Sequence, residues 1–201
     1  MSRRVFISFR YSDGHKYKEY LDKLFSDSDT IINHSESKDR SYLSENTIKN
    51  YLYDKLKNTS VTIVILTPEA IEHKKKYTNF GYIIDDWIYD EIKYSLDDRE
   101  NNRCNGLIAV YTPEAEKLII SKSTNSDLIT INEFNNLVRK NMFNIKDSYK
   151  HNSIDGIYNG DWDHYCSLIP WNKFINNYDT YIEYAEKKRD NKEQYEIKKR
   201  I

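Results

Sequence analysis

Glycine and proline are scarce in this chain, five and three residues out of 201, which excludes collagen-like, glycine-rich and proline-rich architectures. Neither G-x-G-x-x-G nor G-x-x-x-x-G-K-[ST] occurs, so a nucleotide would have to be held without the dinucleotide fingerprint or the P-loop. Two cysteines, Cys104 and Cys166, are too few for a disulfide scaffold. No apolar run exceeds strand length, so neither secretion nor membrane spanning is indicated and a soluble, cytoplasmic protein is expected. With 31 Lys+Arg against 32 Asp+Glu the formal net charge is −1, leaving no global field to hold nucleic acid or an anionic membrane. What the chain does have is aromatic surface. Hydrophobic residues make up only 38%, but aromatics reach 14% with 18 Tyr, so much of the buried area must come from amphipathic rings packed in the core.

Val5-Phe6-Ile7-Ser8-Phe9 reads as a strand, Asp13-Gly14 as a turn, and His15 to Phe25 as a helix. Thr30 to Asn33 is a weak second strand, followed by a polar loop from His34 to Tyr42. Ser44 caps a helix running through Lys57, with Thr47, Ile48, Tyr51, Leu52 and Leu56 on its buried stripe. Val61 to Leu66 is the clearest strand, β-branched and nearly continuous, as strands buried on both faces of a parallel sheet are. It is followed by Thr67-Pro68-Glu69-Ala70, and the strand Leu107 to Tyr111 is followed by the same tetrapeptide, Thr112-Pro113-Glu114-Ala115. Thr as N-cap, Pro at the first helical position and Glu near the positive end of the dipole predict a helix start at both places.

Strands alternating with helices give an α/β protein with a parallel sheet, whose ligands bind at the carboxyl ends of the strands. The loops after Phe9, Asn33, Leu66 and Tyr111 therefore form the expected site rim. The chain divides into a core at about 4–111, an insertion at about 114–161 and a carboxyl-terminal strand and helix at about 162–201, all within one domain. The insertion is polar and partly loop, with one helical island near Ile131 to Val138. Ser167 to Trp171 reads as a last strand feeding a helix from Asn172 to Lys188, and Arg189 to Arg200 as a solvated, fraying helix end.

Asp86-Trp87-Ile88-Tyr89-Asp90-Glu91-Ile92 belongs to a helix that places Trp87 and Glu91 on one face beside the apolar stripe of Ile84, Ile88, Ile92 and Leu96. A carboxylate at such a boundary is partly desolvated, which suits it to stabilise a developing cation or to accept sugar hydroxyls. Together with Val5-Phe6-Ile7-Ser8-Phe9-Arg10 and Asp13, this element resembles TIR domains, whose NAD-consuming members carry a Trp followed four residues later by a catalytic Glu. With Asn58-Thr59-Ser60-Val61-Thr62 leading into a strand, the region from Arg4 to Tyr111 resembles more closely the TIR-like subunit of Thoeris anti-phage defence.

The resemblance implies a flavodoxin-like sheet and an enzyme of the NAD+ glycohydrolase or ADP-ribosyl cyclase type, with NAD+ as substrate and no cofactor. Its product would be a cyclic ADP-ribose isomer, a diffusible signal that activates a partner effector after a phage-derived trigger. Glu91 would be the catalytic carboxylate. Phe9 and Trp87 would offer stacking faces, Arg10 a partner for the pyrophosphate, and Ser8, Ser12 and Asp13 hydrogen bonds to ribose or phosphate. Tyr11, Tyr42 and Tyr82 would form a lid that keeps water from the cation. Self-association is compatible with the family, although no residue here compels it.

Four other readings compete. A receiver domain would need a phosphoacceptor Asp where this chain has Leu66-Thr67. A zinc site from His151, His164, Cys166 and Cys104 lacks paired ligand spacing, so no metal is expected. Lys74-Lys75-Lys76 and Lys187-Lys188-Arg189 are flanked by acids or polar residues and read as solvated faces, so no nucleic acid or membrane partner is expected. A non-enzymatic TIR-like adaptor acting through protein contacts remains the alternative to the enzyme.

Overall fold

The computed structural model describes residues 2–34, 45–73, 75–78, 81–84, 87–98, 103–122 and 128–201. In chain order the elements are β1 (Arg3–Ser8), α1 (Tyr11–Ser26), β2 (Ile31–Asn33), α2 (Glu45–Leu56), β3 (Val61–Leu66), β4 (Lys75–Thr78), β5 (Gly81–Ile84), α3 (Trp87–Leu96), β6 (Gly106–Tyr111), α4 (Glu116–Ile119), β7 (Ile120–Lys122), β8 (Ile129–Ile131), α5 (Leu137–Lys140), β9 (Cys166–Pro170) and α6 (Trp171–Asp190). Five strands form one parallel sheet in the order β2-β1-β3-β6-β9. Numbered among themselves they read 2-1-3-4-5, the flavodoxin-like order expected from the sequence.

All six positions of β3 and all six of β6 are buried, so both faces of the sheet must be covered. Val61, Ile63, Ile65, Ile108 and Val110 pack on one face against Leu21 and Phe25 of α1 and Phe174, Ile182 and Ala185 of α6. Val64, Leu66, Leu107 and Ala109 pack on the other against Ile88, Ile92 and Leu96 of α3 and Leu137, Val138 and Met142 of the insertion. Phe6, on that second face, packs with Leu52 and Leu56 of α2.

Several expectations are corrected. The first Thr-Pro-Glu-Ala makes a single 3-10 turn, Pro68–Ala70, and the second leads only to the one-turn α4. Neither Thr67 nor Ala115 caps its turn with a side chain. The antiparallel pair β4–β5 follows the first turn, so the helix on this crossover is α3. The helical island of the insertion shrinks to α5, and β7 pairs with β8 beside it.

The chain end is not a fraying helix. Tyr195 is buried and its hydroxyl donates to the Trp162 carbonyl at 2.7 Å. The Glu196 amide donates to the Asn144 carbonyl, and the Lys198 amide to Asn141 Oδ1. The alternating charges hid one apolar anchor and a set of backbone hydrogen bonds, which charge patterning does not report. Nor do the tyrosines fill the core. Of those whose side chains are described, only Tyr111, Tyr165, Tyr181 and Tyr195 are buried, and the others ring the core half-exposed or exposed.

Two buried groups set measurable limits. A Cβ on Gly106 would lie 2.2 Å from the Ala185 carbonyl oxygen and 2.6 Å from its carbon, so α6 approaches β6 through the missing side chain. Gly106→Ala is expected to lower stability by about 3 kcal/mol, read by denaturant unfolding, because helix backbone must move. His164 is held neutral by burial and by Lys188 and Arg139 nearby, which lower it from 6.5 to about 4. As pH falls the unfolded chain takes up this proton first, so stability should drop between pH 6.5 and about 4, by up to about 3 kcal/mol. His164→Gln should be less stable at neutral pH and flatter across that window.

Candidate active site

In this strand order the chain crosses sides between β1 and β3, and crevices at such a switch point, outside the carboxyl ends of the strands, hold ligands. The residues there come from the β1–α1 loop and from the turn after β3. Ser8 ends β1, fully buried, and its hydroxyl has no hydrogen-bond partner among the described residues. A buried hydroxyl without a partner costs stability unless something else satisfies it.

Phe9 and the half-buried Arg10 follow, and α1 begins at Tyr11. Gly14 permits this tight entry, since a Cβ there would sit 3.3 Å from Phe9 Cβ. Phe9, Tyr11 and His15 then gather, with ring centroids 6.3 Å apart for Phe9–Tyr11, 6.4 Å for Phe9–His15 and 4.8 Å for the edge-on Tyr11–His15 pair. Tyr11 is 47% exposed, leaving this aromatic group open to solvent on one side.

Asp13 does something the sequence did not announce. Thr67 Oγ1 donates to its Oδ1 at 2.6 Å and the Glu69 amide donates to its Oδ2 at 3.0 Å, while Ser12 Oγ donates to Glu69 Oε2 at 2.5 Å. The first Thr-Pro-Glu-Ala is thus latched to the start of α1. The second is latched one turn further on, where Lys16 Nζ and the Tyr17 hydroxyl both donate to Glu114, at 2.9 and 2.5 Å. These two donors hold Glu114 well below the usual carboxylate range, at about 2. Each repeated tetrapeptide places its Glu against α1, and that pairing can be seen only once the strands are side by side.

Glu91 lies on α3 and is only 8% exposed. The helix is held along its axis by a buried polar chain: Ser95 Oγ contacts Thr62 Oγ1 at 2.7 Å, and Asn105 Nδ2 donates to Thr62 and Thr59 at 2.9 and 2.8 Å. The Asn105 amide donates to the Ser95 carbonyl just before β6 begins, so α3 runs down to the amino-terminal edge of the sheet. Ser95 is therefore level with Thr62, and Thr62 is in register with Phe6. Glu91 stands one turn higher, about 6 Å along the helix. Ser8 stands two residues beyond Phe6, about 6.6 Å along the strand on the same face. Glu91 and Ser8 thus belong to the same side of the sheet, the side that α3 covers. Trp87 is half-buried against Phe6, Leu52 and Leu56, so much of its ring is committed to packing.

The loop after Asn33 beyond His34, with Tyr42, lies outside the described residues, as does the Tyr82 side chain. Lys74 and the side chains of Lys75 and Lys76 lie there too. Among the described residues no three His, Cys, Asp or Glu side chains gather as a metal site requires, and no described helix is long and apolar enough to cross a membrane.

Residues 6–80 match the family model described as Thoeris protein ThsB, TIR-like domain. The matched stretch takes in the second half of β1, the β1–α1 loop and β3 with its turn, while Trp87 and Glu91 lie beyond it.

Removing the Asp13 latch leaves Thr67 Oγ1 and the Glu69 amide without their acceptor. Asp13→Ala should lower stability by about 2 kcal/mol, or roughly 5 °C in Tm, and Asp13→Asn by less, because one acceptor oxygen survives. Thermal unfolding of the two variants beside the wild type checks this.

Proposed function

We propose, from the premise that this chain is a Thoeris ThsB-type TIR-like protein with a defence-related role, that it cleaves the nicotinamide–ribose bond of NAD+ and closes the ADP-ribosyl group into a cyclic signalling nucleotide. The observation that carries the reading is Glu91, a residue 8% exposed on a helix fixed by buried hydrogen bonds.

Cleavage breaks the bond between the ribose anomeric carbon and the pyridinium nitrogen. The electron pair stays with nicotinamide, which leaves neutral and needs no proton, so a second carboxylate acting as general acid is unnecessary. The anomeric carbon develops positive charge as in glycoside hydrolysis, and Glu91 stabilises it most effectively where water is excluded. Phe9 and Tyr11 supply faces for a base, and Arg10 at the start of α1 pairs with the pyrophosphate. Asp13 and Ser12, already bonded to the turn after β3, serve by holding the loop in place rather than by touching substrate. Capture of the cation by a nitrogen of the adenine closes the ring, and capture by water gives free ADP-ribose; exclusion of water decides between them.

Purified protein supplied with NAD+ and phage lysate is expected to release nicotinamide and to yield a cyclic nucleotide by mass spectrometry. Glu91→Gln should reduce turnover at least about 100-fold with the thermal transition preserved. Unchanged turnover in that variant would remove Glu91 from the mechanism. Absence of NAD+ loss in the wild type under all these conditions would leave the adaptor reading in its place.

A further inference from the structure

The insertion contains a cavity of about 390 Å³ lined by Leu128, Ile129 and Ile131 from β8 and its approach, by Met142, Phe143, Ile157 and Tyr158, and by His164 and Leu168 at β9. None of the residues discussed for the active site lines it. Its size lies in the range of small-molecule sites, and its walls combine aliphatic and aromatic side chains with polar groups, Thr130 and His164 among them. Phe143, Tyr158 and His164 meet edge to face, with ring centroids 5.0 Å apart for Phe143–Tyr158 and 4.6 Å for Phe143–His164. Gly156 and Gly160 also border the space, and a Cβ added to either would meet nothing within 4 Å.

Two details point to an occupant. The first is His164, only 3% exposed. Its Nδ1 accepts the Phe143 amide at 2.9 Å, which places the proton of the neutral ring on Nε2. That Nε2–H has no acceptor in the protein among the described residues, and the ring forms part of the cavity wall. The second is Phe143, which holds φ at +53°, a conformation that a bulky side chain rarely adopts. The His164 hydrogen bond and the Arg139 guanidinium 4.8 Å from the ring centroid keep it there. Strain of this kind persists where the surroundings over-determine it, as binding sites do.

We propose that this cavity is a binding site for a small, flat, uncharged molecule carrying one hydrogen-bond acceptor, which receives the His164 Nε2–H while its ring packs among Phe143, Tyr158 and Leu168. A charged ligand is disfavoured because no Lys, Arg, Asp or Glu lines the space to compensate its desolvation. A larger ligand exceeds the volume. The site stands apart from the switch point and does not depend on the NAD-cleaving activity.

Two probes of nearly equal shape test it: 1-indanone, which has a carbonyl acceptor, and indane, which has none. Titrated into the full-length protein and followed by NMR, 1-indanone should shift the His164 ring nitrogen resonances and bind at least about fivefold more tightly than indane. Gly160→Phe, whose new ring enters open space, should keep the wild-type circular dichroism and thermal transition and lose both probes. No binding of either probe to the wild type would overturn the proposal, as would indane binding as tightly as 1-indanone. Retained binding in folded Gly160→Phe would do the same.

Discussion

Complete burial of β3 and β6 on both faces is the constraint from which the rest of this structure follows. Two adjacent parallel strands with no solvated face need a crossover between them and cover above and below. The covering elements are α1 and α6 on one side and α2, α3 and the insertion on the other. At Gly106 that cover comes close enough to the Ala185 backbone that any side chain would push α6 away. Because β1 lies between β2 and β3, with the chain building outward from it in both directions, the carboxyl ends of β1 and β3 flank a crevice, and the proposed chemistry sits there.

Polar contacts then fix what apolar packing leaves loose. Hydrophobic burial is non-directional and would tolerate a sliding helix. The Ser95–Thr62–Asn105 chain does not, since a shift of one turn would strand several buried polar groups. This gives Glu91 a defined height over the sheet. The latches from α1 to the two Thr-Pro-Glu-Ala turns act in the same way on the loops at the rim. On the far side the insertion and the chain end fasten to each other through Asn141, Asn144 and Tyr195. That arrangement buries Lys188, whose ammonium donates to the His164 carbonyl and to Ser167, and burial lowers it to about 8.

The strands of the core were legible because each is a compact β-branched run, and Val61 to Leu66 falls on β3 residue for residue. Helices with a clear apolar stripe were also readable, as α1, α2 and α6 show, to within a few residues at their ends. Local helix-start chemistry misled at both Thr-Pro-Glu-Ala positions: the first makes a single 3-10 turn and the second leads only to the one-turn α4. Of the candidate site, the residue types and the Trp87/Glu91 spacing were visible. The reduced exposure of the Trp87 ring was not, since it arises from Phe6, Leu52 and Leu56, far away in the chain.

By itself the sequence determined the class of architecture, the order of its main elements and the likeness to a TIR-like family, because these reside in local periodicity and short motifs. Only the tertiary structure decided which polar groups are committed and which are left over. Asp13 became a latch, Ser8 an unpartnered hydroxyl, and His164 a donor facing a cavity, three outcomes for three residues whose neighbours in sequence gave no sign of them. The physical reason is that satisfaction of a buried polar group depends on distance and direction to a partner on another element. Composition and spacing carry the identity of such groups, and packing alone assigns their partners.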